Sequence, residues 1–173
     1  DLRISDRWLD SEPDADRYYV ETLARLDPGF CVYEPPQDAP RVAPLPPGPV
    51  RIGCINNPVK LGRGTIRLLA ETLHAVPDSV LVLQAFAFLD EFTVTRIKRL
   101  MQRMGIHSGR IECHPPTAFD EHLTLHGGCH IAIDSIPWTG HTTTCHALWM
   151  GVPVVTVAGD HPCARMGVSV VHR

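Results

Sequence analysis

The run Gly140-His141-Thr142-Thr143-Thr144-Cys145-His146-Ala147-Leu148-Trp149-Met150-Gly151 carries residue types that suit an anion. A glycine permits a tight turn, and three hydroxyls follow with the first N–H groups of a short helix. Those N–H groups lack intrahelical acceptors and sit at the positive end of the helix dipole, so a phosphate fits there. An ordinary capped helix uses the same residues, and the turn alone does not separate the two readings. Lys60 follows the turn Asn56-Asn57-Pro58-Val59. It is either a point charge for a diphosphate or a solvated surface lysine. His122 and His126 stand at i and i+4, the spacing of a metal pair on one helix face. The glutamate of HExxH is missing, no spacing among the ten histidines matches a zinc module, and no metal is expected. Cys145 and His146 are adjacent, so on a helix they do not face each other as a nucleophile pair would. Asp134 is either a base or a cap for the turn that follows it. No G-x-S-x-G, Walker or G-x-G-x-x-G motif occurs.

The elements that position these residues are legible from residue 50 onward. Val50-Arg51-Ile52-Gly53-Cys54-Ile55, Val80-Leu81-Val82-Leu83, Arg110-Ile111-Glu112-Cys113 and His130-Ile131-Ala132-Ile133 read as strands. A buried strand is also expected at Val154, Val155 and Val157. Apolar residues at helical spacing predict helices over residues 65–75, 93–104 and 119–126, with a further one beginning in 163–171. In the second, Ile97, Leu100 and Met101 are expected inward. In the helix after Gly140, Ala147, Leu148 and Met150 form the apolar face. Alternating strands and helices imply βαβ units, hence an α/β Rossmann-like parallel sheet with flanking helices. Ligands of such sheets lie at the carboxyl ends of strands, which puts loops 56–60, 115–122 and 137–144 on one rim. Residues 1–49 read as an irregular, Pro-rich arm with one short helix at 18–26, and a domain boundary is placed at its end.

Composition narrows the function. Of 173 residues 44% are hydrophobic, which suits a packed core, and the formal net charge of -3 shows no basic excess for nucleic acid. No apolar run is long enough to span a bilayer, and Asp1-Leu2-Arg3-Ile4 does not read as a signal peptide. Six scattered cysteines without a CxxC pair read as reduced thiols of a cytoplasmic protein. The ends carry no capping or stop signal, so a piece of a longer protein is expected.

The segment from Asp134-Ser135-Ile136-Pro137-Trp138-Thr139-Gly140 through Thr156-Val157-Ala158-Gly159-Asp160, extended by Ala164-Arg165-Met166-Gly167-Val168-Ser169, resembles the signature of the O-GlcNAc transferase and SPINDLY-like glycosyltransferases. Cys31-Val32-Tyr33-Glu34-Pro35-Pro36, Ile55-Asn56-Asn57 with Lys60, and Asp120-Glu121-His122-Leu123 fit in order, so the resemblance covers nearly the whole chain. It implies a GT-B enzyme of two Rossmann-like lobes, with the donor, usually UDP-GlcNAc, in the C-terminal lobe. It implies inverting transfer to Ser or Thr of a protein acceptor without a metal or other cofactor, and tetratricopeptide repeats upstream. Residues 1–49 would then end the N-terminal lobe, and 50–173 would form most of the C-terminal lobe. The rest of the N-terminal lobe and the repeats are expected elsewhere in the longer chain. The resemblance assigns Lys60 to the diphosphate as the catalytic residue, and Asn57 to the donor. It assigns His122 to the nucleoside, Thr142 and Thr143 to the phosphates, and His141 to the position before them. Two residues depart from the pattern. His146 stands where the family usually has Asp or Glu on the ribose, and Phe119 where some members have a donor-contacting lysine. A non-catalytic nucleotide- or protein-binding module derived from this family is the alternative, and a different GT-B enzyme a third reading.

Overall fold

The arm holds a strand within residues 18–26, where a helix is expected, and a second strand before it. In the computed structural model, which describes residues 1–172, Leu2–Ser5 (β1) and Thr22–Arg25 (β2) pair in parallel, with a 3-10 turn at Ala15–Tyr18 between them. The apolar spacing of residues 18–26 is compatible with a helix. The open ladder of β1 decides otherwise, and Leu23 alternates inward from β2. Beyond it the prolines deny the backbone its donors, and residues 26–49 form neither helix nor strand.

From residue 50 the chain builds a five-stranded parallel sheet. Its strands are Val50–Gly53 (β3), Ser79–Gln84 (β4), Ile111–His114 (β5), Ile131–Ile133 (β6) and Val154–Val155 (β7). They lie in the order β5-β4-β3-β6-β7, with Ile52 paired to Leu81 on one side and to Ile131 on the other. The helices are Arg63–Ala75 (α1), Glu91–Arg103 (α2), Phe119–Gly127 (α3), Thr142–Trp149 (α4) and Met166–Val171 (α5). α2 starts where Asp90 accepts from the N–H groups of Phe92 and Thr93 and ends before Gly105, whose φ of 82° lies in the left-handed region.

Side chains of a strand alternate between faces, and both faces of this sheet are covered. Ile52, Leu81 and Leu83 join Ile66, Leu69, Leu73, Met101 and Ile111 in the core under α1 and α2. Val82 points the other way, to Ile55, Cys129, Ala147 and Val152. That explains the unbroken apolar run of β4. Burial of this order stabilises by roughly 2 kcal/mol per large side chain.

Three details differ from the sequence expectation. β7 is a two-residue edge strand, and Val155 and Val157 are each 49% exposed. Apolar character does not tell an edge from a centre. In α2, Met101 is fully buried but Leu100 is exposed. In α4 the buried side comprises Thr144, Cys145, His146 and Ala147, while Leu148 is exposed. α4 docks on strand ends and on α3, so polar residues of its first turns face inward. Cys54 and Cys129 are buried thiols, pushed up by burial to about 12 and about 11, which makes them inert packing residues.

Candidate functional site

β3 and β6 are neighbours while their sequence continuations run to opposite sides of the sheet. The crevice at their carboxyl ends is the switch point where open α/β sheets take ligands. Asp134, the residue after β6, organises it. Its Oδ1 accepts from the N–H of Gly140 at 2.6 Å, the N–H of Ser135 at 2.9 Å and the amide of Asn56 at 3.0 Å. Its Oδ2 accepts from the Thr156 hydroxyl at 3.0 Å. Burial pushes this carboxyl above the usual carboxylate range, and those four hydrogen bonds oppose the shift. With its acceptor sites engaged, Asp134 caps and shapes the turn. Asn56 completes the lock, accepting from the Thr143 hydroxyl at 2.8 Å. Gly140 is required here, because a Cβ would stand 2.7 Å from the hydroxyls of both Thr143 and Thr144.

Lys60 comes from the 3-10 turn Pro58–Lys60, which the exposed Asn57 caps by accepting from the Val59 N–H. Its ammonium donates to the Thr139 carbonyl at 2.8 Å and lies 5.2 Å from the centre of the Trp138 ring. Burial lowers it from the ordinary lysine value, and Asp134 opposes that. Thr139 is itself fixed, since its N–H and hydroxyl both donate to the Cys163 carbonyl. The lysine therefore reaches the loop that leads into α4. Thr142 is exposed on the first turn of that helix.

A cleft of about 310 Å³ opens beside this rim, lined by Asn56, Asn57, Gln84, Thr117, Phe119 and His122 among others. Larger concavities, about 350 Å³ beside the arm and about 520 Å³ between α1 and α2, have neither Asn57, Lys60 nor residues 140–144 in their lining. Gln84 donates to the Pro115 carbonyl and the Thr117 hydroxyl, both at 3.1 Å, so its carbonyl oxygen faces His122 Nδ1 at 2.6 Å. His122 Nε2 is 3.1 Å from His146 Nδ1. Phe119 stacks on His122 and meets His146 edge-on. Burial lowers His122, and it drives His126 to about 3 and His146 to about 4, with neighbouring imidazoles adding to both. Burial thus disfavours the charged form of all three rings.

The arm covers part of the rim. Cys31 Sγ lies 2.7 Å from His141 Nε2, and Phe30 packs on the same ring. Tyr33 packs on His146 and Trp149. The structure thus brings Lys60, Asn57, His141, Thr142 and Thr143 to one rim, with His122 at the adjoining cleft and His146 buried behind it rather than lining it. Sequence reasoning passed over Gln84 and Asn56. A polar residue closing an apolar strand, as Gln84 closes β4, was the available signal.

Known proteins resemble this chain over nearly its whole length. Residues 43–172 match glycosyl transferase family 41. The chain is 35% identical over 175 residues to the probable UDP-N-acetylglucosamine–peptide N-acetylglucosaminyltransferase SPINDLY of Arabidopsis thaliana, covering 99% of this chain and 19% of that protein. Its Solanum lycopersicum counterpart is 33% identical over the same shares. A solved structure of a lysine-to-methionine mutant of the Thermobaculum terrenum O-GlcNAc transferase superposes with a TM-score of 0.94 at 33% identity, covering 99% of this chain and 32% of that one. The fold and these matches define a parallel-sheet α/β piece of a larger family of proteins. The chain belongs to glycosyl transferase family 41, and it spans about a fifth of the length of the curated relatives it matches.

Proposed function

We propose that this chain is the donor lobe of a protein O-glycosyltransferase and binds a UDP-sugar, UDP-GlcNAc by preference, for inverting transfer to Ser or Thr hydroxyls. The observation that carries the reading is the placement of Lys60 against the loop entering α4, at the switch point of the sheet. As the sugar bond breaks, negative charge grows on the leaving diphosphate. A lysine and the first N–H groups of a helix, both held in place beforehand, stabilise that charge without a metal in the transfer step. The nucleoside takes the cleft at Asn57, Phe119 and His122, where Phe119 and the His122 ring form an aromatic wall and the exposed Asn57 offers an amide. On this reading the site for the acceptor protein, the rest of the N-terminal lobe and the repeats that present the acceptor lie in the remainder of a longer chain. Among the described residues no helix is long and apolar enough to cross a membrane.

Calorimetry with UDP tests the reading on this chain. The chain is expected to bind UDP weakly, to lose binding on Lys60→Ala, and to transfer little sugar by itself. No heat of binding from the folded chain would refute the donor site. A second reading, a lobe that binds nucleotide or partner without transfer, draws on His146 in the place of the family's acidic residue. Transfer by the full-length protein decides between them.

A further inference from the structure

His122 and His126 sit one turn apart on α3, and α4 lays His146 against both. One ring nitrogen from each lies within 4.8 Å of the others. The three rings meet nearly at right angles, with centroids 4.8, 5.2 and 5.9 Å apart, so their lone pairs converge rather than stack. Two observations point to a ligand. First, His126 is 3% exposed, and its buried Nε2 has no hydrogen-bond partner among the described residues. An orphaned buried polar atom asks for a missing partner. Second, Gln84 sets the tautomer of His122. The Gln84 amide nitrogen is committed to Pro115 and Thr117, so its oxygen accepts from His122 Nδ1–H. The Nε2 lone pair of His122 is thereby presented to the cluster. An outer oxygen that takes the distal N–H is the usual support of a metal-ligating histidine.

We propose that His122, His126 and His146 bind one zinc-class divalent ion, with water in the fourth position. Three neutral imidazoles with no carboxylate select zinc, cobalt or nickel over magnesium or calcium, which need oxygen ligands. Tetrahedral Zn–N bonds of about 2.0–2.1 Å set ligand nitrogens roughly 3.3 Å apart. The 3.1 Å between His122 Nε2 and His146 Nδ1, bridged by the Nδ1–H of His146 when no ion is bound, is already close to that. The ion replaces that proton as His146 shifts to its Nε2–H tautomer, and ring rotation brings in the third nitrogen. The ion ties α3 to α4 and fixes His122 at the wall of the cleft. It takes no part in making or breaking bonds. The proposal stands whether or not the cleft holds a UDP-sugar, and it departs from the sequence expectation that no histidine holds a metal.

The test uses the untagged chain, stripped with EDTA and kept free of nucleotide. Co²⁺ is titrated by visible absorption and Zn²⁺ by competition with a chromogenic chelator. The expected result is one equivalent per chain, an intense tetrahedral Co²⁺ band and a Kd on the order of 1 μM or tighter. His126→Gln and His146→Gln should each abolish the tetrahedral band. Gln84→Ala, which alters a positioning residue, should weaken affinity about 10–100-fold, and Gln84→Glu should retain it. Circular dichroism and thermal unfolding in EDTA establish that each variant is folded. Should one histidine variant fail to fold, the other and Gln84→Ala carry the test. Zn²⁺ should also raise the Tm of the parent chain and leave that of folded His146→Gln unchanged. Folded parent protein that takes up no stoichiometric ion, or folded histidine variants that bind as it does, overturns the proposal. UDP calorimetry on the metal-free protein reports separately on the donor site.

Discussion

At the scale of single residues, Lys60 and Gly140 separate chemistry from architecture. Lys60 is held at its terminal nitrogen by one carbonyl of the α4 loop, so its removal should leave the fold intact. In the full-length enzyme Lys60→Ala is expected to lower kcat on the order of a hundredfold, the usual effect of losing a group that meets developing charge. Initial rates over a range of UDP-GlcNAc concentrations check this, and an unchanged kcat would remove Lys60 from the diphosphate. Gly140 acts through space alone. A Cβ there would press on two threonine hydroxyls and, at 3.1 Å, on the Asn56 oxygen. Gly140→Ala should therefore cost about 1–3 kcal/mol by overpacking and weaken UDP binding together with stability. Urea unfolding paired with calorimetry reads both.

At the scale of elements, one cross-sheet pair fastens three strands and a helix end. Arg51 of β3 reaches past β4 to Glu112 of β5 through two hydrogen bonds of 2.9 and 2.8 Å, and its Nε donates to the Gly128 carbonyl after α3. Both side chains are partly exposed, so solvent screening limits the pair. Glu112→Gln should lower stability by about 1 kcal/mol, read as a shift in the urea midpoint with the m-value unchanged. A larger loss would mean that the registry of β5 depends on the charge.

At the scale of the whole molecule, Asp6 joins the arm to the last helix. It accepts from the N–H groups of Trp8 at 2.8 Å, Leu9 at 2.7 Å and Phe30 at 2.9 Å, and from the Ser169 hydroxyl of α5. Arg165 adds a hydrogen bond to the Trp8 carbonyl at 2.7 Å, and Trp8 stacks on His172. Burial raises the Asp6 carboxyl, but the Ser169 and backbone hydrogen bonds outweigh it and hold the group below the ordinary value of 3.8. A lowered folded value means that the contribution is fully present above the unfolded value. It is lost as pH falls through the folded one. Asp6→Ala should cost roughly 3 kcal/mol at neutral pH, because several buried donors lose their acceptor. The difference from the parent should shrink as pH drops below about 4. Urea midpoints from pH 7 to 3 check it, and a gap undiminished at the lowest pH would mean that Asp6 acts by shape alone.

By itself the sequence determined the parallel α/β lobe. Continuous apolar runs such as residues 80–83 suit only strands covered on both faces, and breaks at Gly105, Gly127-Gly128 and Gly151 marked where helices stop. It also determined which loops share a rim, because in a parallel sheet every carboxyl end points the same way. Tertiary structure alone decided the rest. Thr22–Arg25 became a strand because β1 lies beside it, and Val155 became exposed because β7 lies at an edge. Asp134 became a cap because Gly140, Asn56 and Thr156 converge on it from three different segments. The meeting of His146 with His122 and His126 depends on how α4 leans on α3. Contacts between distant segments leave no periodicity in the chain, so only folding brings them together.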